Sequence, residues 1–296
     1  MMDQRAVERT VRFAARDGYE LGGTLFAPAG EAVQKAAFIV SGTAIPASLY
    51  QHFARFLAAH GWAVLTYDCR GIGASAPNSL RGFAATFEDW AEYDTGAAID
   101  WVRAHYPGAR FVAITHSFAA AVLFATPGAE ALGTLVMFSP HTGYWYDYRL
   151  LYRLPMTALW HGFMPIVARL RGYFPARRLR LGHDIPGGVA LQWAGRRTAD
   201  VRPRGSPEQR ARASAALARA RAISGSGLVI AASDDAFSTE AGIRRVLQLV
   251  PHLRVDQRRI TPVAVGVSRI GHFGLFGRKA GAKVWPQVLA WLDATG

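Results

Sequence analysis

A serine, an acid and a histidine follow one another along the chain, each in a short turn-forming segment. These segments are Thr115-His-Ser-Phe-Ala119, Ser233-Asp-Asp-Ala-Phe237 and Ile270-Gly-His-Phe-Gly274. A histidine can take the proton of a serine hydroxyl at neutral pH and return it to a leaving group, while a carboxylate holds the imidazole in place. The order Ser117, Asp235, His272 therefore predicts a serine nucleophile that forms a covalent acyl intermediate.

Two neighbouring aspartates are candidates for the acid of this set. Asp234 and Asp235 both follow the apolar run Leu228–Ala231, and the acid is expected just beyond the next-to-last strand. The distance from the end of this run favours Asp235, and Asp234 would then cap the turn. Because spacing alone does not separate neighbouring acids, both remain candidates.

The turn around Ser117 departs from the pattern Gly-x-Ser-x-Gly. Thr115 and Ala119 stand where glycines would let the backbone fold tightly between a strand and a helix. The serine nevertheless follows the apolar run Phe111–Thr115 and precedes the plausible helix Phe118–Phe124. Its place at the end of a predicted strand supports a catalytic role, because active groups gather at the carboxyl ends of parallel strands.

An oxyanion formed during attack by Ser117 requires backbone N–H donors. The N–H of Phe118 is one expected donor, because it would lie at the start of the helix that follows the nucleophile. The loop Ser41–Pro46 is expected to supply the second, from Thr43 or Ala44.

The segments that must position these residues alternate between short apolar runs and helical patterns. Runs that are apolar throughout are typical of parallel strands buried on both faces. The predicted strands cover 37–40, 62–67, 111–115, 135–138 and 228–231, and the predicted helices cover 48–60, 87–105, 118–124, 239–249 and 282–293. Another apolar run, Val263–Val267, is expected to be the strand that precedes His272. Residues 9–28 predict an antiparallel hairpin. The fold class is α/β, with a mostly parallel central sheet flanked by helices.

The alternation is interrupted between residues 139 and 221, in a stretch rich in aromatic residues, proline and arginine. We interpret it as a helical cap over the strand ends of a core formed by residues 1–138 and 222–296. An aromatic lid can form an apolar pocket over a nucleophile. The candidate substrate-binding residues are Tyr144, Trp145 and Trp160 in this cap and His116 beside the nucleophile.

A cluster of arginines lies within the predicted cap, at Arg169, Arg171, Arg177, Arg178 and Arg180. Two interpretations remain open. In the first, the arginines contact an acidic part of the small-molecule acyl substrate or of the carrier to which it is attached. In the second, they form a solvated helical face. The formal net charge of +13 raises the further question of nucleic acid. The chain has no run of five like charges and no Cys/His finger spacing, so nucleic-acid binding is not expected.

The remaining features of the sequence concern compartment and cofactors. The single cysteine, Cys69, excludes an internal disulfide and fits a reducing compartment. No signal peptide and no apolar stretch of about 18 residues are visible, so no membrane span and a cytoplasmic location are expected. His141 and His183 have no ligand partner at matching spacing, and no metal is expected.

Five motifs together resemble those of a known protein family. They are Ser41-Gly-Thr-Ala-Ile-Pro46, Tyr67-Asp-Cys-Arg-Gly-Ile-Gly-Ala-Ser75, Thr115-His-Ser-Phe-Ala119, Ser233-Asp-Asp235 and Ile270-Gly-His-Phe-Gly274. The chain is similar over roughly residues 10–294 to bacterial α/β-hydrolases of the serine aminopeptidase/lysophospholipase-like group, in a predicted-hydrolase branch. The resemblance implies the α/β-hydrolase fold with a cap, the triad of Ser117, Asp235 and His272, and neither a metal nor an organic cofactor.

The expected function is that of a serine hydrolase acting on a carboxylic ester, thioester or lactone. One alternative is an acyltransferase or cyclase of a biosynthetic pathway that uses the same acyl-serine. Another is a catalytically silent ligand-binding protein, which Thr115 and Ala119 suggest. Together with Cys69, where the family usually has an aromatic residue, these departures suggest a narrow substrate or a reaction other than hydrolysis.

Overall fold

The computed structural model describes residues 6–30, 33–197 and 206–295. Ten strands lie within them, namely β1 (Ala6–Ala14), β2 (Glu20–Pro28), β3 (Lys35–Val40), β4 (Trp62–Tyr67), β5 (Arg110–His116), β6 (Thr134–Phe138), β7 (Tyr173–Phe174), β8 (Ile185–Pro186), β9 (Ser224–Ala232) and β10 (His252–Ile260). Eight of them form one sheet in the order β1-β2-β4-β3-β5-β6-β9-β10. β1 and β2 pair antiparallel, as do β2 and β4, and the other pairs are parallel. The predicted α/β class with a mostly parallel central sheet is confirmed.

The last strand of the sheet differs from the expectation. Residues Val263–Val265 form a short 3-10 turn, and the strand before His272 is β10. β10 pairs with β9 alone at the sheet edge, and its side chains are alternately covered and exposed along much of its length. An edge strand covered on one side carries polar residues, so a search for continuous apolar runs does not detect it.

Ten α-helices flank or cap this sheet in the described part of the chain. They are α1 (Gln51–Ala58), α2 (Phe87–Asp89), α3 (Gly96–His105), α4 (Ala119–Ala125), α5 (Leu150–Thr157), α6 (Met164–Arg171), α7 (Gly187–Ala194), α8 (Pro207–Ala222), α9 (Glu240–Leu247) and α10 (Arg278–Ala294). π-helical segments join α2 to α3 (Trp90–Thr95) and α5 to α6 (Ala158–Phe163). None of these helices is long and apolar enough to cross a membrane.

The core lies in two layers, one on each face of the sheet. α1 and α10 cover one face, where the rings of Phe53 and Trp285 contact each other with their centroids 5.7 Å apart. α3, α4, α8 and α9 cover the other, with fully buried Ile99 and Leu123 among the contacts. Apolar cover on both faces explains why β3, β4 and β6 consist almost wholly of buried apolar residues.

The stretch between β6 and β9 contains two different kinds of element. α5, α6, the β7–β8 pair and α7 lie together, with α6 packed on α7. α8 instead packs on α4 of the core, and Arg219 donates from Nε to the carbonyl oxygen of Ala125 at 2.8 Å. We therefore propose that the cap comprises the described residues 139–197 and that α8 belongs with the core layers.

The glycine-rich segment after β4 holds a buried carboxylate, that of Asp68. Asp68 accepts the backbone N–H groups of Ala47 and Ala74 at 2.7 and 2.8 Å, and Gly73, at φ +50°, leaves the space that this carboxylate fills. Arg70 pairs with other acids, Asp17 and Asp94. The segment therefore ties β4 to the loop after β3 and to the helices beside it.

Candidate active site

The nucleophile candidate sits in a sharp turn between β5 and α4. β5 ends at His116, α4 begins at Ala119, and Ser117 between them has φ +63°. A left-handed backbone at a non-glycine residue costs about 1–3 kcal/mol and persists only where the surroundings enforce it. Here the Ser117 N–H donates to the carbonyl oxygen of Phe138 at 2.9 Å. The turn therefore forms with Thr115, fully buried, in place of the usual glycine.

The three residues predicted from the sequence lie in hydrogen-bond contact. Ser117 Oγ is 2.9 Å from His272 Nε2, and His272 Nδ1 is 2.8 Å from Asp235 Oδ2. An ionised carboxylate only accepts, so Nδ1 carries a proton and Nε2 of the neutral ring can accept the serine proton. This is the arrangement that general-base activation of a serine requires.

The carboxylate of Asp235 is buried and well supported. Burial alone would raise the pKa of Asp235, but nearby His272 and the backbone N–H groups of Phe237 and Ser238 outweigh it and hold the pKa below its usual value. These N–H groups donate to Oδ1 at 2.8 and 3.1 Å, which leaves Oδ2 for the imidazole. The acid therefore stays ionised next to His272.

The neighbouring acid has a separate task. Asp234 accepts the backbone N–H groups of Ile270 and Gly271, each at 2.9 Å. Asp234 thus fastens the backbone of the loop that carries His272, and Asp235 holds the imidazole of the same residue. Adjacent side chains on the β9 loop secure the β10 loop in two ways.

A second imidazole reaches the serine, and the sequence did not reveal it. His141 Nε2 lies 2.9 Å from Ser117 Oγ. Its Nδ1 accepts the backbone N–H of Gly143 at 3.0 Å, so in the neutral ring the proton is on Nε2, which donates to the serine. Burial, reinforced by the charges of His272 and Arg196, lowers the pKa of His141 to about 3, which keeps the ring neutral.

A positional signal for His141 does exist in the sequence. It stands three residues after Phe138, the last residue of β6, and β6 pairs with β5, which carries Ser117 at its own end. The carboxyl ends of neighbouring parallel strands share one edge of the sheet, so a polar residue there is close to the nucleophile.

His116 lies behind the nucleophile and does not line the cavity beside it, contrary to the expectation. Its ring is fully buried, which lowers its pKa and keeps it neutral. Nε2 lies 3.0 Å from the carbonyl oxygen of His272 and Nδ1 lies 2.9 Å from Tyr50 Oη, which in turn accepts the Gly42 N–H at 2.8 Å. His116 therefore links the Ser117 turn to the His272 loop and to the loop after β3.

The expected oxyanion donors lie next to Ser117. Phe118 follows it in the turn, and Thr43 and Ala44 line the same cavity as the serine. Ala44 has φ +64°, and its carbonyl oxygen accepts the His183 N–H at 2.7 Å, so the loop after β3 is held by the cap. A Cβ on Gly42 would lie 3.4 Å from Cβ of Ser117, which shows how closely this loop approaches the nucleophile.

A cavity of about 550 Å³ opens beside Ser117, between the sheet edge and the cap. Most of its lining is apolar, with Met156, Trp160 and Phe174 from the cap and Phe237 from the core. Trp160, one of the predicted substrate-binding residues, is among the residues that line the cavity. Such a volume is typical of sites for small organic molecules.

The other two aromatic candidates of the cap do not line this cavity. Tyr144 lies with its ring 4.8 Å from the guanidinium of Arg245, and Trp145 donates from Nε1 to the carbonyl oxygen of Arg197 at 3.2 Å. Both residues precede α5, and their side chains pack against the outside of the cap and core. Composition identified the aromatic lid but not the direction of each ring.

The arginine cluster is divided between the cavity and the solvent. Arg180 lines the cavity, whereas Arg169, Arg171 and Arg178 are exposed outside it. Arg177 contacts His183, with Nη2 and Nδ1 3.1 Å apart. No group of three or more His, Cys, Asp or Glu side chains within residues 6–30, 33–197 and 206–295 could hold a metal ion.

Several solved structures share the fold. They include an esterase from Pyrococcus furiosus, Pf2001 (17% identity over 98% of this chain and 92% of that one, TM-score 0.60). They also include an α/β hydrolase, GrgF, from Penicillium sp. sh18 (20% identity, 98% and 99%, TM-score 0.59). An acylaminoacyl peptidase from Pyrococcus horikoshii is similar over 99% of this chain and 42% of its own (13% identity, TM-score 0.59).

These low identities establish the fold alone. A comparison with curated protein sequences gave no match. The family model described as serine aminopeptidase, S33, matches residues 31–260, which is more than half of the chain. That span runs from the segment before β3 to the end of β10. The chain therefore belongs to the serine aminopeptidase S33 family of α/β-hydrolases.

Proposed function

We propose that this protein is a serine hydrolase that cleaves a carboxylic ester, thioester or lactone through an acyl-enzyme on Ser117. The observation that carries the proposal is the continuous hydrogen-bond series from Asp235 through His272 to Ser117 Oγ, which ends at an apolar cavity. A buried series of this kind with an ionised carboxylate at its far end is suited to removing the serine proton.

Acylation begins with the transfer of the Ser117 Oγ proton to Nε2 of His272 as Oγ attacks the carbonyl carbon. The carbonyl oxygen becomes an oxyanion that the N–H groups of Phe118 and of Thr43 or Ala44 stabilise. Collapse of this intermediate breaks the bond to the leaving group, which receives the proton from His272.

Deacylation reverses these roles with water as the nucleophile. His272 takes a proton from water as the oxygen attacks the acyl carbon, and the proton then returns to Ser117 Oγ. The carboxylic acid leaves and the resting hydrogen bonds form again. An acyltransferase or cyclase would differ only in this second half, where an alcohol, amine or thiol replaces water.

The cavity supports an apolar acyl group as the substrate. Its lining is largely apolar and includes Met156, Trp160 and Phe174, and Arg180 is its only Arg or Lys side chain among the described residues. Burial of apolar surface contributes about 25 cal/mol per Å², so a hydrocarbon chain in this space would contribute substantially to binding. We infer medium-length aliphatic or aromatic acyl groups.

A fluorophosphonate probe tests the proposed nucleophile directly, since it reacts with activated serines. We expect labelling of the wild type, loss of labelling in Ser117→Ala, and hydrolysis of p-nitrophenyl esters by the wild type alone. Ser139→Ala is the matched control, because Ser139 is also buried after a strand with a positive φ of +46°. It should keep both signals.

Absence of labelling in a folded wild type would refute the proposal and favour a ligand-binding protein. Labelling that persists in Ser117→Ala would refute the assignment of the nucleophile. Product analysis with an added alcohol, amine or thiol separates hydrolysis from transfer. Hydrolysis rates measured with esters of increasing acyl length show how large an acyl group the cavity accepts.

A further inference from the structure

The helical segment that roofs the cavity is apolar on two sides. The chain is helical from Leu150 through α5, the π-helical segment and α6 to Arg171, with helical backbone at both junctions. Its inner side chains recur every four residues and line the cavity, at Tyr152, Met156, Trp160 and Met164. The apolar residues on this inner side are therefore accounted for by their contact with the cavity.

The opposite side is also apolar, yet no described part of the protein covers it. Six large apolar side chains are exposed there, namely Leu150, Leu151, Leu154, Phe163, Ile166 and Leu170, which we call the outer apolar face. Leu151 is 87% exposed and Leu170 is 80% exposed. A helix that is apolar all round is normally buried in a core or in lipid, and contiguous exposed apolar patches mark interaction sites.

The charged side chains in the segment that carries this face are of one sign. Between Asp147 and Asp184 the chain has no acidic residue, and it has seven arginines, Arg149, Arg153, Arg169, Arg171, Arg177, Arg178 and Arg180. Arg169 and Arg171 flank Leu170, and the last three lie in the loop between β7 and β8, which borders the same cavity. Apolar side chains bordered by arginines are the pattern of helices that lie in the surface of an anionic membrane.

We propose that the outer apolar face docks onto the surface of an anionic lipid bilayer. The leucines and Phe163 enter the boundary between headgroups and acyl chains, and the arginines contact the anionic headgroups. The cavity lies directly beneath the docked helix, and its exposed lining residues Leu181 and Phe273 place its opening at the solvent surface.

A second copy of the chain fits this face less well. A two-fold symmetric dimer places the same patch of both copies together. Here that contact would bring the arginines of one copy towards those of the other, with no carboxylate between Asp147 and Asp184 to compensate. Anionic lipid supplies negative charge and apolar depth at once, which matches both properties of the face.

Sedimentation with lipid vesicles tests the docking surface without any need for catalysis, so the result is independent of the proposed function. The protein with Ser117→Ala is mixed with vesicles of phosphatidylcholine alone or of phosphatidylcholine with phosphatidylglycerol. We expect binding to the anionic vesicles, weakened about tenfold or more by Leu151→Asp with Leu154→Asp. Val263→Asp is the control, because Val263 is 88% exposed but lies outside the cap.

A second pair of substitutions, Arg169→Gln with Arg171→Gln, separates charge from apolar contact. It should weaken binding to anionic vesicles while leaving the thermal unfolding midpoint unchanged. The proposal is overturned if the Ser117→Ala protein fails to bind anionic vesicles, or if the leucine substitutions leave binding intact. Equal binding to neutral vesicles also overturns it. A dimer that the leucine substitutions dissociate, without vesicle binding, would assign the face to a second copy instead.

Discussion

Two histidines converge on one hydroxyl with opposite hydrogen-bonding roles. His272 accepts the proton of Ser117, whereas His141, with Nδ1 occupied by the Gly143 N–H, donates to the same oxygen. In the proposed mechanism, this donation directs the serine proton towards His272 and stabilises the negative charge that Oγ acquires as it loses this proton. At the scale of single residues, His141 is a donor to Ser117 because Nδ1 accepts the Gly143 N–H and the proton of the neutral ring therefore lies on Nε2.

Removal of this donor should slow acyl transfer. We expect His141→Phe to lower kcat about 10- to 100-fold with little change in KM, because the lost hydrogen bond matters most as charge develops on Oγ. His141→Gln keeps an N–H donor and should retain more activity. Steady-state kinetics on a p-nitrophenyl ester measure both values. Equal losses in the two variants would indicate a packing role, and an unchanged kcat in His141→Phe would exclude any role.

At the scale of elements, the loops after β9 and β10 form one unit. Asp234 binds two backbone N–H groups of the β10 loop and Asp235 binds the imidazole that this loop carries. The sheet alone places the loops side by side because β9 and β10 pair in parallel. The hydrogen bonds of Asp234 then set the height of His272 above Ser117.

Asp234→Ala should therefore impair catalysis without touching the triad. We expect kcat to fall about tenfold or more and stability to fall by about 1–3 kcal/mol, because two buried N–H groups lose their acceptor. Asp234→Asn, which retains one oxygen acceptor, should recover part of both. Kinetics and urea unfolding measure the two effects. Asp256→Ala, at an exposed aspartate of β10, is the control, and a wild-type kcat in Asp234→Ala would contradict this role.

At the scale of the whole molecule, the proposed catalytic residues lie where cap and core meet, and two buried neutral imidazoles there make stability depend on pH. His116 and His141 are both enclosed, and burial lowers the pKa of each. In the unfolded chain these rings take up protons near their ordinary pKa of 6.5. Below that pH the unfolded state binds more protons than the folded state, so acid favours unfolding.

This proton linkage predicts that the free energy of unfolding changes with pH by a measurable amount. Between pH 6.5 and the folded pKa of about 3, His141 should lower the free energy of unfolding as pH falls. The loss approaches about 1.4 kcal/mol per pH unit for each such histidine. His141→Gln removes one of these groups, so its stability should fall less steeply than that of the wild type between pH 6.5 and 4.5. Urea unfolding at a series of pH values measures both slopes, and parallel curves would contradict the linkage.

The sequence by itself determined the α/β class, most strands of the sheet, and the order of Ser117, Asp235 and His272. These features are visible in local sequence patterns. An apolar run indicates a strand that is buried on both faces, and Ser117 and Asp235 each follow such a run, whereas His272 lies in a loop. β10 was missed because an edge strand is covered on one side only and resembles a polar segment. Spacing along the sequence favoured Asp235 as the acid of the triad, but it did not exclude Asp234.

The tertiary structure decided what depends on side-chain direction. Asp234 accepts backbone N–H groups, whereas its neighbour Asp235 binds the imidazole of His272. No local sequence pattern distinguishes these two roles. The same holds for His141, which meets Ser117 only because β5 and β6 pair in register. It also holds for Trp160, which reaches the cavity while Trp145 does not. Composition and spacing specify which residues lie at the carboxyl edge of the sheet, and strand pairing and side-chain packing specify which of them meet.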